Sequence, residues 1–182
     1  TAVDSCLNMF GPYAHVMRDM TQATAERIFG SYAATQTVLQ GQNGFFVPRP
    51  LAPGTGSPET ISFYDTSPLV STLEKFADFD RINSGEMRVS IGATNVRSGN
   101  FVYFDSNDMK LCPEHFLASG ALPPGFPAIE IDGEFYWDGG CVSNTPLEYI
   151  INDKPRKDTL VFQVDLWSAV GKLPTDIFEV LE

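Results

Sequence analysis

The residues best suited to do chemistry lie in the stretch WDGGCVSNTPL, where Asp138 is followed directly by Gly139 and Gly140. An aromatic run precedes Asp138, so the aspartate is predicted to stand at the end of a strand. Glycine lets the backbone turn sharply and adds no side chain that would cover the carboxylate. The pattern therefore fits a carboxylate presented as a catalytic acid or base. The other interpretation is an ordinary turn, in which Asp138 bonds its own backbone two residues on and the glycines supply positive φ.

Other polar residues form weaker patterns. Asp132 and Asp138 could be the carboxylate pair of a glycosidase, but Asp132 is predicted in a hairpin turn at the opposite end from Asp138. His15 and His115 are the only histidines, and neither is near a nucleophile motif. Ser119 lies in HFLASGALPPG and lacks the GxSxG surroundings of an elbow serine, so we expect it to pack or to bond at a helix end. Neither a metal site nor a cofactor is indicated.

The strand that must carry Asp138 is predicted from turn chemistry. Asp132 and Gly133 are flanked by the segments 129–131 and 135–137, which are predicted as strands, and this is a strong signal for a two-residue hairpin. The second strand of that hairpin then ends at Asp138.

Further elements are predicted from apolar periodicity and from start and stop signals. Residues 41–58 hold prolines and glycines around Phe45 and Phe46, which favours a long ordered loop over an inter-domain linker. Helices and strands interleave, so the fold class is α/β, with helices layered on a sheet. The remaining predictions are one or two helices at 14–40, an amphipathic helix from Pro68 packed on the sheet, strands at 87–96 and 101–105 joined by a turn at 97–100, a helix at 113–119, a helix from near Pro146 and a buried strand at 160–166.

Composition and charge exclude several classes of protein. The chain has 182 residues, of which 43% are hydrophobic, as in a globular domain and unlike a disordered chain. Its net charge of -11 argues against a nucleic-acid partner and opposes binding to an anionic membrane surface. Cys6, Cys112 and Cys141 are odd in number and far apart, which favours reduced structural thiols in a cytoplasmic protein.

Four blocks of sequence carry a resemblance to a known family: FYDTSPLVSTLEKFADFDRIN, SIGATNVRSGNFVYFDS, PEHFLASGALPPGFPAIEIDGEFYWDGGCVSNTPLEYII and DTLVFQVDLWSA, with GFFVPR upstream. Together they resemble the distal part of patatin-like phospholipases, and most of all a bacterial branch of that superfamily. The combination of ASGALPPGFP with YWDGG is the most specific part. The resemblance implies a layered α/β patatin-like domain with a mainly parallel central sheet flanked by helices.

The resemblance also implies roles for single residues. Asp138 would be the aspartate of a Ser-Asp dyad, and Gly139 and Gly140 the glycines of the DGG motif. In that family the serine sits in a GxSxG elbow and a glycine-rich loop supplies oxyanion-hole amides, and neither motif occurs in these 182 residues. We therefore expect residues 1–182 to be the C-terminal portion of one domain that lacks its N-terminal half, with a helical and Pro/Gly-rich excursion at 1–60 and the sheet portion at 61–182. The other half would belong to the same or another chain, and this fragment alone would be inactive.

The implied activity is hydrolysis of lipid or small esters, with transient contact to a membrane surface. A carboxylate can accept the serine proton directly when burial raises its pKa, so neither histidine nor cofactor is needed. Phe126, Phe135, Tyr136 and Trp137 are expected to shape an acyl-chain cleft or, alternatively, to pack in the core. The alternative function is a non-catalytic module that binds acyl chains or a partner protein. A GxSxG motif upstream of Thr1 would favour the enzyme.

Overall fold

The structure is a computed structural model that describes residues 34–50, 55–143, 147–152, 154, 158–164 and 173. The chain divides into two compact units, Thr1–Pro146 and Leu147–Glu182. In the second unit the described helix is α4 (Leu147–Ile151). The first unit contains β1 (Val47–Pro48), β2 (Tyr64–Asp65), α1 (Ser67–Phe76), α2 (Phe79–Ile82), β3 (Ser90–Asn95), β4 (Phe101–Asp105), α3 (Pro113–Ser119), β5 (Ile129–Ile131), β6 (Glu134–Asp138) and a 3-10 turn at Gly139–Cys141.

Four strands form one sheet in the order β4-β3-β6-β5, and two tight hairpins build it. The β3–β4 hairpin turns through Gly99 at φ 69°, and Asn95 Oδ1 accepts from the amide of Ser98 at 2.9 Å. The β5–β6 hairpin turns through Asp132 at φ 53° and Gly133 at φ 81°. Two successive left-handed residues are typical of the type I′ turn, whose twist matches that of adjacent antiparallel strands. Both predicted hairpins are confirmed.

The predicted mainly parallel sheet is not what the described strands form. Every pairing in the four-stranded sheet is antiparallel. Short hairpins impose this direction on the β3–β4 and β5–β6 pairs, because a parallel pair needs a crossover connection of about a dozen residues or more. Residues 160–164 are described and lie in no strand, and residues 165 and 166 lie outside the described residues. The α/β class holds, with an antiparallel sheet where a parallel one was expected.

One face of this sheet carries the core of the first unit. Side chains alternate along a strand, and Ile91, Ala93 and Phe104 fall on the same face, where they are buried. The helix α3 covers that face and contributes the buried Ala118. Its bounds are those that the sequence predicted, and Gly120 caps its C-terminal end. The helix-on-sheet layer is therefore present.

The helix α1 begins one residue before the predicted Pro68. The amide of Ser67 donates to Asp65 Oδ1 at 2.9 Å, whereas Thr66 makes no side-chain capping bond. Proline in the first turn costs no helical hydrogen bond, because the first amides of a helix have no partner within it. The main packing partner of α1 is α3, and not the sheet face that was predicted.

The predicted loop at 41–58 is packed where the structure describes it. Gly41, at φ 79°, follows the helical residues 34–40. An aromatic cluster then forms from Phe45, Phe46, Tyr64 and Phe126, with ring centroids 4.8 to 6.1 Å apart in the contacting pairs. This packing supports an ordered loop around Phe45 and Phe46, which continues into the short strand β1. The first part of the predicted helix at 14–40 and residues 51–54 lie outside the described residues.

Candidate active site

Strand β6 places Asp138 at the end of the sheet. Asp138 is its last residue, and the chain leaves the strand at once in the 3-10 turn Gly139–Cys141. The turn at Asp132 lies at the opposite end of the strand. Asp138 lies opposite Ala93 of β3, the strand that pairs with β6 in the middle of the sheet. Asp138 therefore stands at a strand end, as the sequence predicted, and too far along the strand from Asp132 to form a carboxylate pair with it.

Three hydrogen bonds hold Asp138 in place. Its amide donates to the carbonyl of Ala121 at 3.0 Å, and its carbonyl accepts from the hydroxyl of Thr94 at 3.1 Å. Its Oδ1 accepts from the amide of Gly140 at 2.7 Å. Within the described residues no hydrogen bond or ion pair reaches Oδ2. The backbone thus orients one carboxylate oxygen of this half-buried residue, and no described residue bonds the other.

The glycine after Asp138 permits a close approach of two backbones. A Cβ on Gly139 would lie 2.8 Å from the carbonyl oxygen of Gly92 and 3.0 Å from the ring of Phe101. Neither Gly139 nor Gly140 has a positive φ. The idea that these glycines supply positive φ is therefore wrong, whereas the bond from Asp138 to the backbone two residues on is present. Gly139 is needed for packing against β3.

A match over most of the chain, this turn included, decides the family. A family model described as patatin-like phospholipase matches residues 16–151, well over half of the chain and including the whole of β6 and its turn. The chain belongs to the patatin-like phospholipase family. No curated protein and no solved structure matches it.

Membership in the patatin-like phospholipase family points to lipid acyl hydrolysis as the general activity. The bacterial branch and the C-terminal part of the domain stay predictions. So do the catalytic role of Asp138 and the motif roles of Gly139 and Gly140.

The four aromatic residues expected to shape an acyl-chain cleft do not share one surface. Tyr136 packs against Phe104 on the core face, with ring centroids 5.1 Å apart. Phe126 belongs to the aromatic cluster of the 41–58 loop. Alternation along β6 directs Phe135 and Trp137 to the face opposite Tyr136. Core packing is therefore the better interpretation for Tyr136 and Phe126.

Cys141 is a neighbour of Asp138 whose importance the sequence did not reveal. Partial burial of its thiol raises its pKa, and the negative charge of Asp138 raises it further. A raised pKa keeps a thiol protonated near neutral pH and therefore makes it a poor nucleophile. Cys141 lies next to the site without being equipped to attack an ester.

Among the described residues, one serine hydroxyl contacts an aspartate carboxylate directly. Ser90 Oγ donates to Asp105 Oδ2 at 2.5 Å, across the register pair that joins β3 to β4. Arg88 Nε shares that oxygen at 2.7 Å, and the amide of Asn107 donates to Oδ1 at 2.9 Å. Asp105 is only 1% exposed. Both of its oxygens are occupied and buried, so this pair ties the hairpin together and offers no room for a substrate.

The remaining candidates have structural roles or lie elsewhere. Ser119 is the last residue of α3, as expected for a helix-end residue. His115 is buried, and its Nδ1 accepts a hydrogen bond from the amide of Cys112 at 3.0 Å. Its Nε2 has no hydrogen-bond partner in the described part of the chain. His15 lies outside the described residues. Asp132 lines an open depression of about 320 Å³ beside Cys112 and His115, at the other end of β6 from Asp138.

Among the residues that the structure describes, no group of three or more His, Cys, Asp and Glu side chains could hold a metal ion. Over the same residues, no helix has the length and apolar character needed to span a bilayer.

Proposed function

We propose that this chain supplies the aspartate half of a serine acyl-ester hydrolase, a phospholipase or esterase in which Asp138 is the base. The proposal rests on the geometry of the Asp138 carboxylate. Its Oδ1 is held by the amide of Gly140 at 2.7 Å, and its Oδ2 has no partner among the described residues. Membership in the patatin-like phospholipase family supports lipid or small esters as the substrate class.

In the proposed reaction, Asp138 accepts the proton of a serine hydroxyl while the serine oxygen attacks the ester carbonyl. A serine hydroxyl is a weak nucleophile until a base takes its proton. The ester bond breaks, the alcohol leaves with the proton from Asp138, and an acyl-enzyme remains. Water then transfers a proton to Asp138 and attacks the acyl group. The acid is released as the serine oxygen leaves and takes that proton back from Asp138, which restores both residues. Backbone amides stabilise the oxyanion in both steps.

The nucleophile and the oxyanion amides are proposed to come from outside these residues. No GxSxG elbow lies in the 182 residues, and no serine among the described residues is in contact with Asp138 Oδ2. In this proposal residues 1–60 form the helical and Pro/Gly-rich excursion, and residues 61–182 form the sheet portion of one domain. A mainly parallel sheet would then require strands beyond the described ones.

The setting of the enzyme follows from charge and cysteine content. A net charge of -11 favours transient over lasting contact with an anionic membrane surface. Three widely spaced cysteines fit the reducing cytoplasm. We propose a cytoplasmic hydrolase that meets its lipid or small ester substrate without a nucleic-acid partner and without a cofactor.

Active-site labelling of the full-length protein tests the proposal. A fluorophosphonate should label one serine, which peptide mass spectrometry should place in a GxSxG motif. Asp138→Asn should slow labelling by about 10²-fold or more, since general-base catalysis contributes roughly that much. The matched change Asp132→Asn, at the other end of β6, should label at the wild-type rate. Failure to label any serine would favour the non-catalytic module, and labelling of Ser119 or Ser90 would overturn the dyad.

A further inference from the structure

A buried hydroxyl on β3 reaches the backbone that carries Asp138. Thr94 is 5% exposed, and its Oγ1 donates to the carbonyl oxygen of Asp138 at 3.1 Å. The donor and the acceptor lie on adjacent strands, because β3 pairs with β6 from Asn95 to Ala93. The bond is therefore a tertiary link from the middle of the sheet to the point where β6 ends.

This link acts where regular pairing stops. The amide of Asp138 donates to the carbonyl of Ala121 at 3.0 Å instead of to a neighbouring strand. The carbonyl of Asp138 accepts a hydrogen bond from the side-chain hydroxyl of Thr94. This bond fixes the peptide between Asp138 and Gly139, which leads into the 3-10 turn. Two residues further along the chain, the amide of Gly140 donates to Asp138 Oδ1 at 2.7 Å. A rotation of this peptide would therefore move the amide of Gly140 and, with it, the carboxylate.

We propose that Thr94 is a positioning residue for the serine-activating aspartate, because its hydroxyl fixes the peptide between Asp138 and Gly139 and thereby the direction of Asp138 Oδ2. The inference rests on the proposed role of Asp138 as the base. Thr94 contacts neither the carboxylate oxygens nor, in this scheme, the substrate. Its effect is on geometry, and a base misplaced by about 1 Å costs up to about 10²-fold in rate.

A pair of substitutions separates the hydroxyl of Thr94 from its shape. Thr94→Val keeps the branched side chain and removes the donor, whereas Thr94→Ser keeps the donor and removes a methyl group. In the full-length protein we expect kcat for a short-chain aryl ester to fall about 10- to 10²-fold in Thr94→Val, with KM within about 2-fold. Thr94→Ser should keep kcat within about 3-fold of wild type.

Hydrogen exchange provides a readout that does not depend on turnover. Amides in residues 139–143 should exchange faster in Thr94→Val than in wild type, and at the wild-type rate in Thr94→Ser. A purely packing role for Thr94 predicts the reverse order, because the serine variant loses the methyl contact. Loss of kcat in Thr94→Ser equal to that in Thr94→Val would therefore overturn the proposal, even if the valine variant folded poorly.

Asp138→Asn, measured in the same assay, separates the role of Asp138 as the base from the role of Thr94 in positioning it. If Asp138→Asn loses kcat and Thr94→Val keeps it, Thr94 does not position the base, and the proposed function survives. If Asp138→Asn keeps wild-type kcat, the base assignment is wrong, and the inference about Thr94 falls with it. Loss of kcat in Asp138→Asn and Thr94→Val, with rescue in Thr94→Ser, is the expected result.

Discussion

Two aspartates stand at strand ends in this sheet, and their surroundings separate them. Asp105 ends β4 with both carboxylate oxygens occupied, one of them by Arg88. Asp138 ends β6 with one oxygen bonded to the amide of Gly140 and the other without a partner in the described residues. An occupied, ion-paired carboxylate stabilises structure, whereas an open one can accept a proton. The glycines after Asp138 gave a sequence signal for this difference, but nothing in FVYFDS marked Asp105 as a buried ion-pair partner.

Cys141 gives a measure of the charge on Asp138 that does not depend on catalysis. The carboxylate of Asp138 helps to raise the pKa of the Cys141 thiol, so Asp138→Asn should lower that pKa. Because the thiolate is the reactive form, alkylation of Cys141 by iodoacetamide near pH 8 should become faster in the variant. Peptide mass spectrometry of timed samples would give the rate.

Cys112 is the control in the same samples. Its pKa is raised by burial and by Glu114, and Asp138 is not among the causes. The alkylation rate of Cys112 should therefore be the same in both proteins. An unchanged rate at Cys141 would contradict the electrostatic contact between that thiol and Asp138.

Local signals predicted the secondary structure elements around the site well. The Asp132-Gly133 hairpin and the helix at 113–119 are present because turn residues, proline and glycine act over a few positions. The described strands pair antiparallel and do not show the mainly parallel sheet that the resemblance implied, because the direction of a whole sheet depends on pairings between distant segments. The packing of Gly139 on Gly92 was also invisible in the sequence, since it joins residues on two strands far apart in the chain.

The close approach of Gly139 to β3 predicts a steep cost for a methyl group. In Gly139→Ala the new Cβ would meet the carbonyl oxygen of Gly92 at 2.8 Å, and backbone atoms cannot move aside easily. Overpacking of this kind costs about 1–3 kcal/mol in the free energy of unfolding. Urea unfolding would measure the change.

Gly120→Ala is a matched control for Gly139→Ala. Gly120 has φ -110°, and a Cβ there would meet nothing within 4 Å. Its free energy of unfolding should stay within about 0.5 kcal/mol of wild type. Equal effects of the two substitutions would contradict the close packing of Gly139 on β3.

At the scale of the whole molecule, the sequence predicted the α/β class and the family correctly. The described strands, however, do not form the mainly parallel sheet that was expected. Interleaved helices and strands predicted an α/β domain, and the family model supports the patatin-like assignment. The mainly parallel central sheet and the serine nucleophile stay predictions from the resemblance, because the described strands show neither. The four aromatic residues expected to shape an acyl-chain cleft do not share one surface, because alternation along β6 places Tyr136 on the opposite face from Phe135 and Trp137.

The most direct test of Asp138 as the base is kcat of Asp138→Asn in the full-length protein, measured on a short-chain aryl ester. An amide keeps the shape of the side chain but cannot take up the serine proton, so kcat should fall about 10²- to 10⁴-fold. Asp132→Asn should remain within about 2-fold of wild type, because asparagine tolerates the left-handed conformation that Asp132 adopts at φ 53°. If Asp138→Asn and Asp132→Asn both retain wild-type kcat, Asp138 is a turn residue and the proposed dyad is wrong.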